Sequence, residues 1–150
     1  MKKILVLTMV VFMIGLTACS SKTSATNSTA STSENEKSVY SDDFVDIYYV
    51  SMFESYEDTA AVKFKVVNKT DKHIIVFPDN SYANDTSVVL TTGTFTEMDA
   101  GKNAYNTFVF FYKKFGIEKF DDIQSVTTQL KIQDENMADI EETSTITFVK

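Results

Sequence analysis

The chain offers one histidine and several adjacent pairs of carboxylates as the side chains from which an active site would have to be built. We consider the pairs Asp42-Asp43, Glu57-Asp58, Asp121-Asp122 and Glu141-Glu142. A glycosidase places two carboxylates about 5–10 Å apart across a cleft, whereas adjacent residues in a loop mostly point apart. We therefore expect the pairs to be solvated loop charges. A cell-surface hydrolase that uses one such pair is the alternative function.

A Ser-His-Asp arrangement or a histidine-ligated metal site would depend on His73, which lies between a polar run and an apolar run. We expect it to be a solvated residue at the start of a strand. The chain contains no G-x-S-x-G, P-loop or H-E-x-x-H motif. The sequence therefore predicts that the protein is not an enzyme.

A second group of oxygen-bearing side chains, Asp79-Asn80 with Asn84-Asp85, raises the question of cation binding. Ca²⁺ takes six to eight oxygen ligands, but the spacing here does not fit an EF-hand. The same residue types are favoured in turns because they tolerate positive φ. We interpret the segment as a turn and predict no metal and no cofactor, while cation binding by residues 79–85 stays open.

The only cysteine, Cys19, ends a segment that has the layout of a secretory signal. Two lysines precede an apolar run, Ile4 to Ala18, whose 15 residues would span about 22 Å as a helix, less than the roughly 30 Å hydrocarbon core. No cluster of basic residues follows to stop transfer; the next residues are Ser20, Ser21 and Lys22. Residues 1–18 are therefore predicted to be a cleaved signal peptide rather than a transmembrane helix.

The four residues Leu16-Thr17-Ala18-Cys19 resemble the lipobox of bacterial lipoproteins. The resemblance implies cleavage after Ala18 and a diacylglyceryl group on the Cys19 thiol. Two acyl chains attach a protein stably to a bilayer, whereas one holds it only marginally. We therefore expect a lipoprotein on the extracytoplasmic face of the bacterial cell membrane, with the bilayer as its partner through acylated Cys19.

The charge of the mature chain is strongly negative. Without residues 1–18 the chain keeps 12 lysines against 21 acidic residues, a net charge of −9, and all of it lies on residues 39–150. Such a field repels nucleic acid and anionic lipid headgroups. We exclude nucleic acid as a partner and expect the domain to stay off the bilayer surface.

The segment between anchor and domain is of low complexity. Residues 20–38 hold eleven Ser or Thr among nineteen and no aromatic or branched aliphatic residue. Such a segment buries too little apolar surface to offset the entropy of ordering, so we expect a disordered tether with a mean reach of about 25 Å. The predicted organisation is a signal peptide helix at 1–18, lipidated Cys19 and tether at 19–38, and one domain at 39–150.

The domain carries strand signals throughout. Val62, Phe64 and Val66 alternate with Lys63 and Lys65, which predicts a strand with one face in water. The polar run 68–72 would join that strand in a hairpin to residues 74–77. Asn84-Asp85 would form a second turn between strands at 81–83 and 86–90.

Further along, residues 107–112 are apolar without alternation, so we expect both faces of that strand to be covered. A helical turn is expected at 113–122 with Gly116 as its break. Clean strands follow at Val126 to Ile132 and around Ile146, and residues 45–54 form the first long strand, its register undetermined. Seven to nine short strands with almost no helix predict an all-β sandwich, with a small closed barrel as the alternative.

Residues 62–148 resemble a domain of uncharacterised Gram-positive lipoproteins. The resemblance rests on Val66 to Lys72, Asp79 to Asn84, Ala100-Gly101-Lys102, Gly116-Ile117 and Asp122-Ile123. It implies an immunoglobulin-like β-sandwich and no assigned activity. That family usually has Asn-Gly at the second turn, where this chain has Asn84-Asp85.

Seven tyrosines bear on what the domain does. In the adjacent pair Tyr48-Tyr49, at least one ring must leave the core face of a strand. Exposed tyrosines are typical of surfaces that bind proteins or sugars, although large rings also fill small cores. We predict a non-catalytic binding or accessory module whose partner is an unidentified extracellular protein or glycan, with no ligand-binding residue assigned.

Overall fold

The computed structural model describes residues 36–92 and 96–150. The predicted signal peptide, Leu16-Thr17-Ala18-Cys19 and the tether up to residue 35 lie outside these ranges. The strands are β1 (Lys37–Ser41), β2 (Val45–Tyr56), β3 (Thr59–Asn68), β4 (Ile74–Ala83), β5 (Thr86–Ser87), β6 (Thr91–Thr92), β7 (Thr96–Met98), β8 (Asn103–Phe111), β9 (Ser125–Gln133), β10 (Asp139–Glu142) and β11 (Ile146–Val149). Two 3₁₀ turns, η1 (Tyr112–Phe115) and η2 (Phe120–Asp122), are the helical elements of the described part. None of its helices is long and apolar enough to cross a membrane.

The strands form two antiparallel sheets. Sheet A has the order β1-β2-β3-β8-β6, and sheet B has the order β10-β9-β4-β5, with β11 added beside β9 and β7 beside β4. The predicted all-β sandwich is confirmed. The structure has more strand segments than the seven to nine expected because several are only two or three residues long. Strand β1 begins at Lys37, two residues before the predicted domain boundary.

The core lies between the inner faces of the two sheets. On β9 every second residue from Val126 to Ile132 is buried, as the alternation predicted. Phe64 and Phe108 of sheet A pack with ring centroids 4.4 Å apart, and Phe148 of sheet B lies 5.9 Å from Phe64. Each fully buried aromatic side chain contributes roughly 1.5–3 kcal/mol of transfer free energy. These rings join the sheets.

The predicted hairpin between residues 62–66 and 74–77 is wrong, because β3 and β4 belong to different sheets. Val62, Phe64 and Val66 do face the core, but β3 pairs with β2 and β8, while β4 pairs with β9. Alternation specifies which face of a strand is buried and not which sheet it joins. The polar run 68–72 therefore carries the chain across the sandwich edge.

The Asn84-Asp85 turn is confirmed as a two-residue connection, since Ala83 pairs with Thr86. Asn84 takes the positive φ of 51° that the turn requires. The strand after it ends at Ser87 rather than at residue 90. The strand before it is longer than predicted and runs unbroken from Ile74 to Ala83, with a register shift between Asp79 and Tyr82.

The expected helical turn is confirmed as η1 and η2, with Gly116 ending η1 at a φ of 79°. The expectation that both faces of the preceding strand are covered is wrong. Phe108 and Phe110 of β8 are buried, but Phe111 is 49% exposed. Phe111 belongs to the outward row of β8, which no second layer of the described residues covers.

Candidate functional site

His73 lies immediately before β4, at the strand start where the sequence placed it. Its Nδ1 is 3.0 Å from Oδ1 of Asp99, and both side chains reach the surface. A neighbouring depression of about 330 Å³ is lined by Lys72, His73 and residues 134–136. Within the described residues, no three His, Cys, Asp or Glu side chains come together in a group able to hold a metal ion.

Members of three of the carboxylate pairs are engaged in local structure. Asp42 Oδ1 accepts hydrogen bonds from the backbone N–H groups of Phe44 and Val45, each at 2.7 Å, and so shapes the turn between β1 and β2. Asp58 forms an ion pair with Lys113 at 2.6 Å.

The remaining pairs lie elsewhere on the sandwich. Asp121, which lies in η2, forms an ion pair with Lys150 at 3.0 Å. Glu141 and Glu142 lie in β10, the edge strand of sheet B, and not in a loop as expected.

The oxygen-bearing side chains at 79–85 lie partly inside β4 and partly in the turn that follows it. Asp79 Oδ2 lies 3.0 Å from the Lys131 ammonium, and that hydrogen bond holds the pKa of Asp79 below its ordinary value. The amide of Asn80 donates to Gln129 Oε1 at 2.8 Å. Asn84 Oδ1 accepts from the backbone N–H of Gln124 at 2.9 Å. Asn84 therefore makes the turn contacts that the sequence indicated. Asp79 and Asn80 instead lie inside β4 at its register shift, so interpreting them as part of a turn is wrong.

The outer face of sheet A carries a different kind of surface. Cross-strand pairing aligns Phe53, Ala61 and Val109 in one row and Tyr56, Thr59 and Phe111 in the next. We call these six residues the aromatic patch. Its three rings are exposed, by 41% for Phe53, 81% for Tyr56 and 49% for Phe111.

The strand order explains the shape of this surface. The central strand β3 contributes small side chains, Thr59 and Ala61, which are buried, while larger rings stand on the flanking strands β2 and β8. The Lys114 ammonium lies 4.5 Å from the centroid of Phe111, a distance suited to a cation–π contact. The result is a shallow aromatic surface on a rigid, hydrogen-bonded sheet.

A second cluster occupies the middle of the same outer face, and we call it the Lys65 cluster: Lys65, Glu36, Tyr48 and Tyr105. Lys65 was expected to face water but is only 4% exposed, and this expectation is wrong. Its ammonium lies 2.9 Å from a Glu36 carboxylate oxygen and 5.5 and 5.7 Å from the ring centroids of Tyr48 and Tyr105. Lys63, two residues earlier on this face, is exposed as predicted.

Sequence reasoning singled out the tyrosines but neither Phe53 nor Phe111, because it assigned Phe111 to a covered strand. Phe108 and Phe110 alternate along β8 and mark its buried row. Phe111 follows Phe110 directly and therefore belongs to the opposite row, which is the pattern that could have predicted its exposure. Glu36 was assigned to the tether, and no local pattern links it to a lysine 29 residues away.

No protein-family model matches the chain, and no curated protein matches it. Among solved structures, a FixG-related protein from Vibrio parahaemolyticus aligns at 14% identity and a TM-score of 0.42, over 73% of this chain and 98% of that one. The GAE domain of yeast GGA1 aligns at 8% identity and a TM-score of 0.43, over 77% of this chain and 99% of that one. Structural similarity this weak does not indicate a shared activity.

Proposed function

We propose that the protein is a membrane-anchored extracytoplasmic lipoprotein whose sandwich is a non-catalytic binding module. The aromatic patch is the binding surface, and the observation that carries the proposal is the exposure of Phe53, Tyr56 and Phe111 side by side on one sheet face. Exposed apolar rings gathered in one place mark interaction surfaces, whereas isolated ones are ordinary.

The physical character of the patch suits recognition of a large partner. Aromatic rings supply much contact area and lose few rotatable bonds on binding. The rings stand on paired strands, so their backbone is already ordered before binding, which lowers the entropic cost of association. A shallow floor of Thr59 and Ala61 fits the surface of an extracellular protein or a glycan.

The anchor part of the proposal is supported by sequence alone. Leu16-Thr17-Ala18-Cys19 has the residue types of a lipobox, and an apolar run with a two-lysine start precedes it. The net negative charge on residues 39–150 opposes adsorption to anionic headgroups. The aromatic patch would then be free to meet a partner outside the membrane.

The test is crosslinking of the full-length protein in its own cells, followed by identification of the attached species. The double variant Phe53→Ser with Phe111→Ser should reduce the yield of the crosslinked partner by about tenfold or more, because each ring supplies on the order of 1–2 kcal/mol at such an interface. The matched control is Val89→Ser with Val149→Ser, two exposed apolar residues outside the patch. Equal yields from the patch and control variants would refute the patch as the binding surface.

A further inference from the structure

The aromatic patch lies between two charges of opposite sign on sheet A. Lys63 of β3 stands on the outer face one row before the patch, and the β2–β3 turn with Glu57 follows directly after it. Successive rows on one face of a strand are about 6.7 Å apart. The positive and the negative charge therefore stand at similar distances from the middle of the patch, at its opposite ends along the strands.

Both of these charged side chains are exposed to solvent. Lys63 forms no ion pair within the described residues, and its ammonium lies 5.5 Å from the ring centroid of Tyr105. Glu57 is exposed as well. Its neighbour Asp58 forms the ion pair with Lys113, on which Glu57 acts only as a more distant charge. Each end of the patch therefore carries one charge that a partner can contact.

This arrangement of charges is complementary to itself. In a two-fold symmetric pair the same surface serves on both copies, so that contacts occur in equivalent pairs. A two-fold axis that runs across the strands, between two facing sheets, brings the Lys63 end of each copy opposite the Glu57 end of the other. An axis along the strands would instead place Lys63 opposite Lys63. Opposite charges therefore select the first arrangement.

The same arrangement brings the rings of the two patches together. It places the row of Phe53 opposite the row of Tyr56 and Phe111 in the other copy. Aromatic rings in contact stabilise an interface beyond the area that they bury. The apolar contact and the two charge contacts thus favour one and the same orientation of the copies.

We propose that the aromatic patch binds the patch of a second copy of this chain, face to face, with Lys63 of each copy opposite Glu57 of the other. This deepens the proposed binding function and rests on it, because it names the partner of the same surface. The patch has six residues, far fewer than the roughly 20–30 per side of a stable interface. The pairing is therefore transient, and anchoring on one bilayer favours it by raising the local concentration of copies. The net charge of −9 on residues 39–150 opposes close approach, but physiological salt screens it beyond about 8 Å.

The test measures energy transfer between two forms of the full-length protein in the membranes of its own cells, one with a fluorescent donor and one with an acceptor at the carboxyl terminus. Lys63→Glu in both forms, or Glu57→Lys in both, places like charges opposite each other and should lower the transfer about threefold or more. Lys63→Glu in the donor form with Glu57→Lys in the acceptor form restores opposite charges at both contacts. The transfer should then return to the level of the unaltered pair.

The matched control makes the same charge changes at two exposed residues outside the patch, Lys119→Glu and Glu135→Lys, and should leave the transfer unchanged. Three results would overturn the proposal. The first is transfer in the unaltered pair no higher than that of an unrelated lipid-anchored protein at the same density. The second is equal transfer in the patch and control variants, and the third is failure of the mixed pair to restore it.

The outcome is distinguishable from a failure of the proposed function. A partner of another kind, a different protein or a glycan, would still appear in the crosslinking test. Its yield would depend on Phe53 and Phe111 but not on the exchange of charges between Lys63 and Glu57. That result would exclude a second copy as the occupant and leave the aromatic patch as the binding surface.

Discussion

The buried side-chain amide of Asn68 stabilises the segment 68–72, which leads from sheet A to sheet B. It is 1% exposed, and its side-chain N–H groups donate to the backbone oxygens of Lys72, Met98 and Asp99. Its carbonyl accepts from the backbone N–H of Thr70 at 2.9 Å. An alternating pattern cannot show this role, because the sequence presents Asn68 simply as the first residue of a polar turn.

We expect Asn68→Ala to destabilise the protein by about 2–4 kcal/mol, since it removes the hydrogen bonds of a buried amide to three backbone oxygens and to the Thr70 N–H. Asn103→Ala is the control, because Asn103 is exposed at the start of β8 and should change stability by less than about 0.5 kcal/mol. Urea unfolding of both variants measures the difference. Equal midpoints for the two would show that the Asn68 network adds nothing to stability.

The hydroxyl of Tyr112 should make the free energy of unfolding depend on pH in the alkaline range. Its hydroxyl donates to Glu54, and this hydrogen bond raises the pKa of Tyr112 from 10.0 to about 12. A folded-state pKa above the unfolded value means that the folded protein holds the proton more tightly. The stabilisation is therefore complete below pH 10 and is lost as the pH rises from 10 to about 12.

The variant Tyr112→Phe isolates this effect, because both proteins share every other titrating group. The urea midpoint of the unaltered protein should exceed that of Tyr112→Phe at pH 9, and the gap should shrink as the pH approaches 12. Tyr56→Phe, at the 81% exposed ring, should reproduce the unaltered profile. A gap that stays constant with pH would contradict the assigned hydrogen bond.

At the level of elements, the β4–β5 turn shows why Asn-Asp serves where two-residue hairpin turns often have Asn-Gly. Only the first turn residue needs a positive φ: Asn84 has φ 51°, and Asp85 is not among the residues with positive φ. The Asn84 side chain also ties the turn to the start of β9 through Gln124 and Asp122. A glycine at the second position is therefore not required.

Asn84→Ala should lower stability by about 2 kcal/mol, from left-handed backbone strain and from the lost contacts to residues 122 and 124. Asn84→Gly relieves the strain but not the loss of contacts, so it should fall between Asn84→Ala and the unaltered protein. Asp85→Ala is the matched control at the neighbouring turn position. Thermal unfolding ranks the stabilities of the three variants. If Asp85→Ala lost more stability than Asn84→Ala, the conclusion that Asn84 is the residue that stabilises the turn would be wrong.

For the whole molecule, the proposal joins an anchor predicted from the sequence to a candidate binding face on sheet A. The sandwich is stabilised by packing of its two sheets, with Phe64, Phe108 and Phe148 at the centre. Among the described residues, the aromatic side chains of Phe53, Tyr56, Tyr105 and Phe111 are exposed on sheet A, against Tyr82 alone on sheet B. The outer row of β9 in sheet B is polar, with Thr127, Gln129 and Lys131. This asymmetry of the two outer faces directs the binding hypothesis to sheet A.

The anchor has its own test in Cys19→Ser. We expect the unaltered protein to partition with membranes and to carry two acyl chains, which together suffice for stable attachment. The serine variant should remain an unlipidated precursor that the lipoprotein peptidase does not process. Mass spectrometry of the amino-terminal peptide measures both. A normally acylated product from Cys19→Ser would disprove the assignment of the anchor.

The sequence by itself determined the all-β class, the buried rows of β3 and β9, and the two-residue turn at Asn84, because each depends on neighbours within a few positions along the chain. The tertiary structure alone decided that β3 and β4 join different sheets, that Phe53 and Phe111 flank Ala61 and Thr59, and that Glu36 reaches Lys65. These contacts join residues that are distant in sequence, and pairing across a sheet is set by the packing of the whole core. Local residue patterns therefore do not predict which strands pair.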